Sequence, residues 1–164
     1  MKPITSKAIE RASEYIDNLE DDGIEKLMQI FIEQQPGMVA YLMVSGEEDF
    51  MTEDSQQYLI YLGLKIWYAI YSSGVKSPVL NDDDILEIEE KNMVMLEYFD
   101  GSTESQFAEE VELMVAHHPQ MELMRYAVFN IMSMDEEEEL DINEDCLGFL
   151  FICLKTFIEA FNKY

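Results

Sequence analysis

Apolar residues recur along the chain at the three- and four-residue spacing of one helix face. Ile24, Leu27, Met28 and Phe31 follow this spacing, and a second stripe runs through residues 107–115. A half-buried strand would instead alternate apolar and polar residues between turn dipeptides, and the sequence lacks that pattern. The chain is therefore predicted to be all-α, with little β structure.

Helix-starting residues and proline breaks divide the pattern into eight helices. Asp22 and Thr103 are each followed three residues later by Glu or Gln, as in a capping box. Pro36 and Pro119 each precede a new apolar stripe and are expected at the first position of a helix. The predicted helices span residues 5–20, 23–35, 36–45, 52–72, 82–99, 103–118, 119–134 and 143–162.

A segment rich in Ser, Gly and Pro near the midpoint divides the chain into two halves of similar order. Each half has two helices, a proline break, a third helix and a fourth helix that is apolar almost all round. Corresponding residues include Pro36 with Pro119, Gln35 with His118, and Lys65 with Lys155. We predict two pseudo-symmetric four-helix repeats, residues 1–81 and 82–164, packed as one domain around the two apolar helices. Chance similarity between amphipathic helices is the alternative, because few residues are identical.

Charge changes the picture of the surface. The chain has 35 Asp and Glu against 10 Lys and Arg, a net charge of −25. Residues 1–81 hold 13 acids and 6 bases, whereas residues 82–164 hold 22 acids and 4 bases. Such a surface repels nucleic-acid phosphates and anionic lipid headgroups, so neither nucleic acid nor a membrane is an expected partner. A basic protein is the expected electrostatic partner, although a charge excess also serves solubility alone.

The densest acidic run lies in the segment by which the second half is longer than the first. It consists of Asp135, Glu136, Glu137, Glu138 and Glu139. One interpretation is a docking segment for a basic partner. The other is a solvated loop ahead of the last helix, where negative charge favours the helix dipole.

The two cysteines, Cys146 and Cys153, lie seven residues apart in one predicted helix. That spacing is two turns, or about 10.8 Å, which is too far for a disulfide between them. They are predicted to be buried free thiols, as suits a reducing cytoplasm. The longest apolar runs each contain a lysine and fall short of the ~18 residues of a membrane span, so no membrane helix is predicted.

Few residues offer catalytic chemistry. His117 and His118 lack the Glu-x-x-His or His-x-x-x-His spacing of a metal site, so neither a metal nor another cofactor is expected. His118 is predicted to satisfy backbone groups at the proline break. Lys65 and Lys155 interrupt apolar helices and are predicted to form ion pairs with nearby acids. An enzyme is therefore the least favoured class.

Two functional hypotheses follow from these features. The first is a non-enzymatic protein–protein interaction module, such as an inhibitor, immunity-type protein or adaptor, that meets a basic partner. The alternative is a helical domain that binds a small ligand or metal between its halves, near Gln35, Trp67, His118 and Lys155. A homodimer would follow if the core could not bury all the aromatic residues of the fourth helix, which are Tyr58, Tyr61, Trp67, Tyr68 and Tyr71.

Overall fold

The computed structural model describes residues 1–45, 48, 51–99, 103–134 and 144–163, and within these ranges the chain forms eight α-helices and no strand. The helices are α1 (Ser6–Asp17), α2 (Asp21–Gln34), α3 (Pro36–Ser45), α4 (Glu53–Ser72), α5 (Asp82–Phe99), α6 (Glu104–His117), α7 (Met121–Met134) and α8 (Glu144–Asn162). The predicted all-α class is confirmed. The predicted helix bounds agree with the observed ones to within three residues at each end.

Side-chain caps explain several helix starts. The Thr52 hydroxyl accepts a backbone N–H in the first turn of α4 (3.1 Å). Thr103 and Gln106 form the predicted reciprocal capping box at the start of α6. The capping box predicted at Asp22 is wrong, because α2 begins at Asp21, two residues earlier than predicted, and its N-cap residue, Glu20, makes no side-chain cap hydrogen bond.

The two proline breaks differ in detail. Pro36 is the first residue of α3, as predicted. Pro119 does not start α7, which begins two residues later at Met121. The residue between them, Gln120, supplies the carbonyl that accepts the first hydrogen bond of α7, from the Met124 N–H (3.0 Å).

The break between α2 and α3 is braced by the side chain of Gln35. Its Oε1 accepts a hydrogen bond from the Leu80 N–H (3.0 Å), and its Nε2 donates to the Pro78 carbonyl (2.8 Å). Because this amide is buried, both of its hydrogen bonds are needed to offset its desolvation. The segment that leads into α5 is thereby fixed against the end of α2.

The break between α6 and α7 is braced by Gln120 in the same manner. Its Oε1 accepts a hydrogen bond from the Ile4 N–H (2.9 Å), and its Nε2 donates to the Lys2 carbonyl (3.2 Å). The segment that leads into α1 is thereby fixed against the end of α6. The residue that makes the contacts of Gln35 in the second half is therefore Gln120, and not His118 as the sequence comparison predicted.

Helices α4 and α8 form the centre of the bundle, as predicted for the last helix of each half, which is apolar almost all round. Phe31 of α2 stacks on Trp67 of α4 with ring centroids 4.6 Å apart, and it meets Phe157 of α8 edge-on at 6.1 Å. Cys146 Sγ on α8 lies 3.4 Å from Ser55 Oγ on α4. Helix α1 packs against α4 and helix α5 against α8, so the outer helices shield both central ones.

Lys65 forms the ion pair predicted for it. Its Nζ lies 2.6 Å from Asp17 Oδ1 on α1 and 4.4 Å from the centroid of the Tyr61 ring. The Tyr61 hydroxyl also donates a hydrogen bond to the Asp17 carboxylate. The buried lysine therefore links α1 to α4.

One of the five aromatic residues of α4 is buried, three are half-buried and Tyr71 is exposed. Trp67 is buried and also stacks on Tyr71 (5.0 Å), whereas Tyr68 stacks on Tyr15 of α1 (4.8 Å). These contacts weaken the reason for expecting a homodimer, which stays a prediction.

The cysteine prediction is confirmed, since Cys146 and Cys153 are buried free thiols. Burial raises the pKa of Cys153 to about 12, so this thiol is protonated and unreactive at neutral pH. None of the described helices is long and apolar enough to cross a membrane.

Candidate binding groove

Two of the sequence candidates concern acidic or metal-binding clusters. The run from Asp135 to Glu139 lies outside the described residues, so its role as a docking segment stays a prediction. Within the described part of the chain, no group of three or more His, Cys, Asp or Glu side chains is arranged to hold a metal ion.

The structure brings His118 and Lys155 together around the carboxylate of Glu159. Lys155 Nζ lies 2.6 Å from Glu159 Oε1 and 2.7 Å from Asn92 Oδ1, which confirms the ion pair predicted for this lysine. Asn92 Nδ2 donates to Glu159 Oε2 (2.8 Å). His118 Nδ1 accepts the Gln120 N–H (3.0 Å), as predicted for a residue that satisfies the break. The remaining ring nitrogen, Nε2, faces Glu159 Oε1 at 3.6 Å.

The polar side chains of this cluster interact mainly with one another. A cavity of about 540 Å³ opens beside the cluster. However, the Lys155 ammonium and the Glu159 carboxylate are engaged with neighbours inside the protein. Burial alone would raise the pKa of Glu159, but contacts with His118, Lys155 and Asn92 outweigh it and lower the pKa to about 2. The cluster therefore joins α5, α8 and the α6–α7 break rather than presenting free groups to a ligand.

Glu159 provides a pH-dependent prediction. Its folded-state pKa, about 2, is below its ordinary value of 4.5, so its stabilising contribution is complete above pH 4.5 and is lost as the pH falls toward 2. We expect Glu159→Gln to lower the free energy of unfolding at pH 7 by about 1–3 kcal/mol, because Lys155 and Asn92 lose a charged partner. Urea unfolding at several pH values measures both effects.

The matched control is Glu87→Gln. Glu87 pairs with Lys91 at 2.7 Å on the surface of α5, and both side chains are well exposed. An exposed pair contributes little, so this variant should unfold like the parent at pH 7. Equal losses in the two variants, or an acid profile unchanged by Glu159→Gln, would contradict the assignment.

Gln35 and Trp67, the other two residues predicted to form a site between the halves, have structural roles here. Gln35 braces the α2–α3 break through Leu80 and Pro78. Trp67 is buried between Phe31 and Tyr71. Of the four residues predicted to form one site, only His118 and Lys155 lie together, in the Glu159 cluster. Gln35 and Trp67 each make separate contacts elsewhere in the core.

A groove that the sequence did not indicate lies between α3, α5 and the start of α8. Its volume is about 390 Å³. Its walls are mostly apolar, and two of the apolar wall residues are exposed, Val44 at 65% and Leu86 at 56%. Gly37 and Ala40 have small side chains, so the side of the groove formed by α3 projects little into it. A Cβ on Gly37 would also collide with the Asp82 carboxylate at the start of α5. Small residues on α3 thus keep the groove open and let α5 approach.

Carboxylates supply the charge of this groove. Glu48, Asp82 and Glu89 line it, and no lysine or arginine is among its described lining residues. Burial raises the pKa of the Glu89 carboxyl, the neighbouring Tyr41 hydroxyl offsets part of this increase, and the charge of Glu48 adds to it. The groove therefore combines apolar walls with negative charge that no base in those walls neutralises.

One buried polar group belongs to the same groove. Tyr41 of α3 is only 8% exposed, and within the described residues its hydroxyl has no hydrogen-bond partner. Burial raises the pKa of Tyr41, and the groups around the hydroxyl include Glu89 of α5 and Cys153 and Thr156 of α8. An unpaired buried hydroxyl is destabilising in the free protein, and such groups are rare in folded proteins.

Sequence reasoning missed this groove because its residues are far apart in the chain. The small residues Gly37 and Ala40 directly after the proline break were the one local signal. Bulky residues would be expected there in a helix that is otherwise so apolar.

Comparison of the chain with protein-family models, with curated proteins and with solved structures found no match. The function is therefore inferred from the residues of this chain alone.

Proposed function

We propose that this chain is a non-enzymatic interaction module that binds an amphipathic, basic segment of a partner protein in the groove between α3, α5 and α8. The observation that carries the proposal is the pairing of exposed apolar residues, Val44 and Leu86, with carboxylates in a groove whose described lining residues include no lysine or arginine. An occupant that fits must bury apolar surface and supply positive charge. A helix with leucines on one face and lysines or arginines beside them has both properties.

The charge of the whole chain supports the same type of partner. At −25, its field attracts a basic protein over the Debye length, about 8 Å at physiological salt, and speeds the encounter. The acidic run from Asp135 to Glu139 is proposed to add to this attraction. The groove would then supply the specificity that a diffuse charge cannot provide, because only a segment with a matching apolar stripe gains from burial there.

We also propose that the chain arose from duplication of a four-helix unit, with residues 1–81 and 82–164 as its copies. The support is the matching role of Gln35 and Gln120, each of which holds the segment before the first helix of the other half. The central position of α4 and α8, each with a buried lysine paired to an acid, is further support.

The alternative function, a small-ligand or metal-binding domain, would use the same groove for a small organic cation. Ligand pockets often have volumes of about 300–1,000 Å³, a range that includes this groove. A protein segment is favoured because Val44 and Leu86 extend the apolar surface onto the exterior, beyond what a small molecule would cover.

The test uses a fluorescent 18-residue peptide of leucine and lysine, patterned as an amphipathic helix, titrated with the full chain. Two control peptides are a scrambled sequence of identical composition and a leucine–glutamate version. We expect the patterned peptide to bind about tenfold more tightly than the scrambled one, because only its apolar stripe fits the groove. Its affinity should weaken between about 0.05 and about 0.5 M salt. Equal affinity for the patterned and scrambled lysine peptides would show that charge alone drives binding. That result would refute the proposal that the groove is the binding site.

A further inference from the structure

The two bracing glutamines allow the groove to be compared with the matching place in the other half. Tyr41 lies six residues after Gln35, and Tyr126 lies six residues after Gln120. Gln35 accepts a hydrogen bond from the Leu80 N–H, and Glu89 lies nine residues after Leu80.

Ser13 occupies the matching place on α1. Gln120 accepts a hydrogen bond from the Ile4 N–H, and Ser13 lies nine residues after Ile4. The pair that corresponds to Tyr41 and Glu89 is therefore Tyr126 and Ser13.

The two pairs differ in one informative respect. The hydroxyls of Tyr126 and Ser13 are hydrogen-bonded at 3.3 Å, so the tyrosine of the second half has its partner within the protein. Tyr41 is more deeply buried, yet no residue in the described part of the chain forms a hydrogen bond with its hydroxyl. The walls differ as well, because Gly37 and Ala40 stand where the second half has Glu122 and Arg125.

Those two larger residues pair with each other. Arg125 Nη1 lies 2.9 Å from Glu122 Oε1, so the wall of the second half is built from a self-neutralising ion pair. On α3 the matching side chains are a hydrogen atom and a methyl group. Among the residues that the structure describes, the first half thus combines at one place an open wall, a carboxylate without a lysine or arginine partner, and a hydroxyl without a hydrogen bond.

We infer that Glu89, which lines the groove together with Tyr41, is the anchor for a single lysine or arginine side chain of the bound segment. This inference rests on the proposed function and specifies its chemistry. Glu89 is partly exposed, so its outer face is open to a cationic N–H donor, and among the described residues no lysine or arginine pairs with it. Glu48 and Asp82 line the same groove and would draw the cation inward.

Tyr41 acts through Glu89 as a positioning residue. A neighbouring hydroxyl can donate to the carboxylate once the cation fixes the orientation of that carboxylate. This hydrogen bond would satisfy a buried group that has no hydrogen-bond partner among the described residues of the free protein. Ligand binding thereby gains a contact inside the protein as well as one across the interface.

The experiment couples a protein variant to a peptide variant. Each lysine of the leucine–lysine peptide is replaced in turn by norleucine, which keeps the aliphatic stem and removes the ammonium. Against the parent protein, one replacement should weaken binding about tenfold more than the others. Against Glu89→Gln, that replacement should have no additional effect, since the two groups form one pair. Glu90→Gln, on the exposed face of the same helix, should retain the parent pattern.

Tyr41→Phe and Tyr126→Phe form a second matched pair. Tyr41→Phe should weaken peptide binding about threefold without lowering the thermal midpoint, because the Tyr41 hydroxyl has no hydrogen bond to lose among the described residues of the free protein. Tyr126→Phe should lower the midpoint and leave binding unchanged.

If all lysines contribute equally and Glu89→Gln behaves as Glu90→Gln, the role of Glu89 as the anchor is refuted, whereas binding in the groove is not. If the parent protein does not prefer the patterned peptide at all, the proposed function itself fails.

Discussion

Replacing Phe157 with alanine is expected to lower the free energy of unfolding by about 3–5 kcal/mol. Phe157 of α8 is completely buried and contacts Phe31 of α2 edge-on and Phe161 at 5.1 Å. Phe31 in turn stacks on Trp67 of α4, so this ring lies where three helices meet. Its loss removes buried apolar area and leaves a cavity that the surrounding rings can only partly fill. Urea unfolding at pH 7, followed by circular dichroism, measures the loss.

Phe129→Ala is the matched control. This phenylalanine is on α7 and is 72% exposed, so its removal changes little of the core. We expect an effect within about 0.5 kcal/mol of the parent. If the two variants lose equal stability, Phe157 is not at the centre of the core and the arrangement of α4 and α8 is wrong.

The helices could be predicted from sequence because their signals are local. Apolar spacing, the Thr103–Gln106 capping box and Pro36 each act within a few residues, and the observed α3 has the predicted bounds. The prediction for Pro119 was wrong for a reason that is not local. Gln120 is held by the segment before α1, more than a hundred residues away, and α7 begins after it.

The sequence could predict that each buried lysine has an acidic partner, but not which acid that partner is. A lysine in an apolar helix of a strongly acidic protein needs an acidic partner, and both lysines have one. Which acid it pairs with depends on how the helices pack. Lys65 reaches Asp17 on another helix, whereas Lys155 uses Glu159 of its own helix together with Asn92 of α5.

The groove could not be predicted because its properties arise from packing between distant segments. The sequence analysis drew no distinction between Val44 or Leu86 and other apolar residues, and only the packed structure shows that both are exposed in one groove. The meeting of Tyr41 with Glu89 likewise requires α3 to lie beside α5, a contact between the two halves.

Leu86→Asp is the variant with the largest expected effect on binding. The change removes an apolar wall residue of the groove and adds a negative charge. If attraction to the basic peptide were only electrostatic, this variant would bind more tightly. We expect the affinity for the leucine–lysine peptide to fall at least about tenfold, because burying a leucine side chain contributes about 1.5–3 kcal/mol. Fluorescence anisotropy at constant salt measures the change.

Val94→Asp adds the same charge on the same helix. Val94 is 61% exposed and is not among the described lining residues of the groove. Its affinity for the peptide should equal that of the parent or be slightly higher. A loss of affinity as large as that of Leu86→Asp would mean that the whole face of α5, rather than the groove, contacts the peptide.

The footprint of the bound peptide tests the central claim most directly. Amide chemical shifts of isotope-labelled protein, recorded as the leucine–lysine peptide is added, identify the residues it contacts. We predict that the largest changes fall on α3, on the first turns of α5 and around Phe149 of α8, and that residues of α7 around Tyr126 change little. Largest changes in residues 135–139, or small changes spread over the acidic surface, would contradict the account.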